Sequence, residues 1–103
     1  VVDFLSADTY KGREGEKFTI HVNSSESLET ELVDVSVYNR SGQYSFSVVF
    51  RGPADRYVEQ GTFKLSHDEL GEQEMFICPI TYPSTEPGIH YELCVNQLLD
   101  PEV

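Results

Sequence analysis

Tryptophan is absent from this chain of 103 residues, methionine occurs once, cysteine twice, and Lys and Arg together only seven times. Each shortage excludes something. Against those seven bases stand 18 Asp and Glu, a formal net charge of −11 that repels a phosphate backbone. Nucleic-acid binding needs clustered Lys and Arg to displace counterions, and the only local basic groups are Lys11, Arg13 and Lys17 near the start and Arg51 and Arg56 further on. The same sign disfavours an anionic membrane surface. No apolar run approaches the roughly 20 residues of a membrane-spanning helix, and no charged start with an apolar core marks a signal peptide. The simplest use of the acidity is solubility. Two cysteines without further Cys or His at ligand spacing do not make a zinc site. Nor is there a nucleophile elbow, a phosphate-cradling glycine loop or a His-Glu-x-x-His pair, so no catalytic residue, cofactor or metal ligand is expected.

What is present is period-2 alternation. Hydrophobic residues make up 39% of the chain and aromatics 12%, enough for one core, and a chain of this length buries roughly 60–65% of its unfolded surface. Phe18, Ile20 and Val22 alternate with Lys17, Thr19 and His21, and Val33, Val35 and Val37 with Asp34, Ser36 and Tyr38. Leu32 has the other parity, which predicts a bulge near it or a strand whose second face is also partly covered. Tyr44, Phe46, Val48 and Phe50 form a third run, and Phe63 and Leu65 follow Gly61 in a fourth. Met75 to Tyr82 makes a fifth, in which Pro79, lacking an N–H, requires an edge or a bulge. Ile89, Tyr91, Leu93 and Val95 make the sixth. Gly71 closes the His67-to-Gly71 turn and is expected at positive φ. The reading is an all-β single domain over 1–103, a small antiparallel six-stranded barrel or sandwich with strands in up-and-down order and hairpin connections. Residues 1–15 form an irregular leading segment anchored by Phe4, Leu5 and Tyr10, with a short helical turn started by Asp3 or Ser6. Residues 98–103 form a tail.

Several residues invite chemistry and have a plainer role. Cys78 and Cys94 fall opposite each other if their hairpin centres on Glu86, but adjacent-strand pairs seldom meet disulfide geometry, and buried reduced thiols are expected. His21, His67 and His90 are dispersed. His67-Asp68-Glu69 has the composition of a cation or acid–base site but sits in a tight turn, where such residues bond their own backbone. The acidic sets Glu26/Glu29/Glu31/Asp34 and Asp68/Glu69/Glu72/Glu74 lack calcium-loop spacing and read as solvated strand faces. Of the six tyrosines, Tyr57 in the Arg51–Gly61 loop is the one expected to be exposed. Arg51, Arg56 and Tyr57 are therefore the candidate partner contacts, since Arg and Tyr are enriched at binding hot spots.

The strings Phe50-Arg51-Gly52-Pro53, Gln60-Gly61-Thr62-Phe63-x-Leu65-x-His67-x-Glu69-Leu70-Gly71, Phe76-x-x-Pro79 and Tyr91-Glu92-x-x-x-Asn96, with Phe4-Leu5 and Gly15-x-x-Phe18 before them, span nearly the whole chain. The pattern resembles a small bacterial family known as domain of unknown function 6916. The resemblance brings no catalytic residues with it. It implies aliphatic character at Cys78 and Cys94, and an association with neighbours resembling phage-tail-collar proteins. The functional expectation is a non-enzymatic interaction or structural accessory module of a larger, phage-tail-like or cell-surface assembly. It would engage a protein partner or self-assemble, through the Arg51–Gly61 loop and an open sheet edge. The alternative is a carbohydrate- or small-ligand-binding β domain, which predicts a concave aromatic patch.

Overall fold

Alternation along the chain becomes six strands: β1 (Lys17–His21), β2 (Ser27–Arg40), β3 (Gln43–Gly52), β4 (Gly61–His67), β5 (Gly71–Ile80) and β6 (Ile89–Leu98). The structure is a computed structural model and describes residues 4–40 and 43–98. Asp3, the Ser41-Gly42 hairpin connection and the tail beyond Leu98 lie outside these described residues. Of the expected anchors, Phe4 and Tyr10 are buried, whereas Leu5 is 42% exposed. The helical turn is a 3-10 helix, Ala7–Thr9, preceded by Ser6.

The strands close into an antiparallel barrel in the order β1-β2-β3-β6-β5-β4. An up-and-down ring would set β3 beside β4 and β6 beside β1. Instead β3 pairs with β6 from Gln43↔Leu98 to Gly52↔Ile89, and β4 pairs with β1 through Thr19↔Ser66, Ile20↔Leu65 and His21↔Lys64. Two three-stranded meanders are thus joined by a crossover, and the segment after Gly52 is not a hairpin loop but the span that carries the chain past β2 and β1. Period-2 patterning fixes which way side chains point and leaves strand neighbours open.

The expected bulge lies between Leu32 and Asp34. Pro79 pairs with Tyr91 of β6, while the ladder to β4 ends at Ile77, so its missing N–H falls on an edge. Gly71 closes the β4–β5 hairpin at φ 90.

Inward residues fill the barrel: Phe18, Ile20, Leu28, Leu32, Phe46, Val48, Phe50, Leu65, Ile77, Tyr91 and Leu93 are all buried. Both ends are stopped. At one, the leading segment docks as a plug: Tyr10 packs on Phe18 and Phe46 at 6.1 and 5.8 Å between ring centroids, and its hydroxyl donates to the Phe4 carbonyl at 2.8 Å. The Ala7 N–H donates to the Tyr44 hydroxyl at 3.1 Å. At the other end lies the crossover, held by Tyr91, whose hydroxyl accepts from the Val58 N–H at 3.1 Å and donates to the Arg56 carbonyl at 3.2 Å.

Several strands outrun the closed ring. Beyond Glu31, where Leu32 still exchanges backbone hydrogen bonds with Gly15 and Glu16, β2 has no strand partner on the side of β1 among the described residues, and β5 pairs with β6 only from Ile77 onward. The ends of β2, β3 and β6 therefore project as a three-stranded extension.

Candidate functional site

Three arrangements carry polar chemistry, and the sequence candidates are distributed among them. The first is the crossover. Arg56 reaches back to the β1–β2 turn, pairing with Glu26 at 3.4 Å, and Glu26 is held by Asn23, whose Nδ2–H donates to it at 3.0 Å. Asn23 Oδ1 accepts from the backbone N–H groups of Ser25 and Glu26, the self-bonding expected of Asn in a turn. Tyr57 projects beside Arg56 and is 64% exposed. Because Tyr91 anchors the backbone on both sides of Tyr57, this aromatic stands on a fixed support.

Arg51 lies apart from that pair, within strand β3 rather than in the loop. Its guanidinium bridges Glu31 on β2 and Glu86 in the β5–β6 connection, and its side chain is 21% exposed. This fork draws the 81–88 connection down onto the sheet. Gly88 follows at φ 148, where an added Cβ would stand 2.6 Å from the Arg51 Cγ and 2.8 Å from the Gly52 carbonyl oxygen, so the close approach demands glycine. Beside the fork runs an open groove of about 620 Å³, walled by Lys17, Glu29, Glu31, Arg51, Pro53 and Pro87 among others. No aromatic residue lines it, so it lacks the stacking platform a sugar site uses.

The second arrangement joins the leading segment to the β4–β5 turn. His67 Nε2 lies 2.7 Å from Glu16 Oε1, and Arg13 contacts Glu16 at 3.1 Å and Glu69 at 3.2 Å. The donor atoms of Glu16, His67 and Glu69 fall within 4.8 Å of one another, a spacing a metal would accept. Two features argue for a different reading. Arg13 already supplies the cation, and the Glu69 N–H donates to His67 Nδ1 at 3.0 Å, which leaves the proton on Nε2, directed at Glu16. The cluster is a clamp. The hydrogen bond from His67, then Arg13, holds the Glu16 carboxyl below the usual carboxylate range. Glu16 is the member that sequence reading missed, because it approaches His67 from a distant segment.

The third arrangement is on the outer face. His90 points outward by parity yet is only 5% exposed, because Tyr82 stacks on it at 4.9 Å and 28° while donating its hydroxyl to Asp34 at 3.3 Å. Its Nε2 is buried without a hydrogen-bond partner among the described residues. Desolvation, reinforced by Arg51, holds this imidazole below the usual histidine range. His21 is on another strand, where its Nε2 shares a hydrogen bond with Ser66 Oγ at 2.8 Å. The three histidines thus remain separate.

The cysteines correct an expectation. Cys78 pairs with Glu92, which puts Cys94 two positions out of line with it. Both are free thiols, Cys78 half-buried and Cys94 exposed, on the outer face and not in the core. Desolvation, then Glu92 and Cys78, push the Cys94 thiol up to about 11, so little of it is the reactive thiolate at neutral pH.

The sequence profile of domain of unknown function 6916 matches residues 5–95, and the chain belongs to that family. No curated protein and no solved structure matches it.

Proposed function

We propose that the domain is a non-enzymatic docking module, which binds a protein partner within a larger assembly through the crossover that carries Arg56 and Tyr57. One observation carries the reading: Tyr57 is 64% exposed, on a backbone that the buried Tyr91 hydroxyl grips on both sides. A large aromatic loses little further entropy on binding when its support is already ordered, and Tyr beside Arg is the composition of a binding hot spot. Arg51 is a support for this surface, since both arms of its guanidinium are engaged by Glu31 and Glu86. The filled barrel interior and the aromatic-free groove favour this reading over a carbohydrate-binding one.

The test is capture by affinity pull-down and mass spectrometry, followed by titration of the captured protein. Replacing Tyr57 and Arg56 together with Ala is expected to weaken binding by at least about 2 kcal/mol, or some thirtyfold, with the thermal midpoint little changed. Unchanged affinity in the double variant would remove the crossover from the interface.

A further inference from the structure

We infer that the outer half of β2 is a self-association edge, and that two copies of this chain pair there antiparallel about a two-fold axis through Val37. From Asp34 to Arg40, β2 is hydrogen-bonded to β3 on one side and to no strand on the other among the described residues. Seven residues of unpaired edge extend about 23 Å, and β2 at 14 residues is longer than most strands of small domains. Exposed edges are ordinarily blunted by Lys, Pro, shortness or a bulge. The stretch Asp34-Val35-Ser36-Val37-Tyr38-Asn39-Arg40 contains neither Lys nor Pro, and its bulge lies at its base, before Asp34.

Charge selects the occupant. The chain carries −11, so a second copy is repelled by most of the surface. The stretch Gly71–Phe76 of β5, paired with β4 but with no strand on its β6 side among the described residues, bears Glu72 and Glu74 and repels it too. The β2 stretch holds one charge of each sign, at its two ends. In the register centred on Val37, Asp34 of each copy, whose carboxylate also accepts from the Tyr82 hydroxyl of its own chain and keeps its charge, stands opposite Arg40 of the other, and Ser36 opposite Tyr38. Shifting the centre by one residue either way loses both charge pairs. A two-fold axis doubles every such contact, as in most homodimers. The apolar side is suited as well. Val35 and Val37 pack on the core yet stay half-buried, and Tyr38, on the opposite face, is 53% exposed. Val37 against Val37 makes a β-branched cross-strand pair, favourable in sheets. This inference is independent of the crossover, since neither Arg56 nor Tyr57 takes part.

Light scattering across a dilution series reads the mass of the full chain, which is expected to approach twice 11.7 kDa. Reversing one charge, D34R or R40D, sets like charges opposite at both ends and is expected to weaken self-association at least about tenfold. Mixing the two variants restores attraction at both ends, so a heterodimer is expected to form where neither variant dimerises alone. Hydrogen exchange on the unmodified chain provides a reading that needs no substitution: amides of residues 34–40 are expected to slow as concentration rises. The inference is overturned by a monomer at every concentration, by a dimer whose strength ignores both reversals and their mixture, or by concentration-dependent protection confined to other segments.

Discussion

His90 is an outward residue that behaves as an inward one. Tyr82 covers it, and its Nε2 has no hydrogen-bond partner among the described residues, so burial disfavours the charged imidazolium in the folded state. A histidine whose folded pKa lies below its unfolded value of about 6.5 favours the fold above that pH and loses its contribution as pH falls below it. Glu16 adds a second window: its carboxyl is held low by His67 and Arg13, so its contribution is complete above the ordinary 4.5 and is lost as pH falls through the lowered value. Thermal midpoints followed from neutral to acid pH are expected to decline in two stages. H90F is expected to flatten the upper stage and leave the lower; an unchanged upper stage would mean that another group sets it.

At the scale of the element, the leading segment is a stopper whose hold depends on one side chain. Tyr10 is fully buried, in ring contact with Phe4, Phe18 and Phe46, and donates to the Phe4 carbonyl. Tyr10→Ala is expected to cost about 3–5 kcal/mol in denaturant unfolding, and to open the Ala7–Tyr44 contact to hydrogen exchange. A loss below about 1 kcal/mol would show that the segment is not integral to the core. Much of this level was legible in the sequence, because side-chain direction in a strand is a local property. The alternation from Lys17 to His21, the parity flip at Leu32, the N–H missing at Pro79 and the glycine at 71 each report on their own backbone. What was not legible depends on another segment. Gly52-Pro53 punctuates the chain and makes Arg51 read as loop, yet β6 pairs with β3 as far as Gly52. Cys94 lines up with Cys78 only in a hairpin centred on Glu86. The 81–88 connection shifts the register by two, and Arg51 holds it from a third strand. The site shows the same division. Exposure of Tyr57 was legible, while the grip of Tyr91 beneath it and the Glu16–His67 clamp required the fold.

At the scale of the whole molecule, charge is the dominant fact. Arg13, Arg51, Arg56 and Lys64 each sit against at least one glutamate, and the acid excess still leaves −11 distributed over a small barrel. Self-repulsion of that size destabilises a compact state and is screened by salt. The thermal midpoint is expected to rise between about 0.01 M and about 0.15 M salt, as the screening length shortens from about 30 to about 8 Å. A flat or falling midpoint would mean that the local ion pairs outweigh the global repulsion.

The crossover also sets the order in which this barrel can be made. Its two meanders are locally wired, but the seams that join them, β1 with β4 and β3 with β6, connect residues far apart in sequence. Such non-local pairings are entropically slow to form. Until Ile89–Leu98 leaves the ribosome, nothing can occupy the far sides of β3 and β5, so every shorter nascent chain presents two raw strands to its neighbours. Closure of the barrel waits on β6, which stands between β3 and β5.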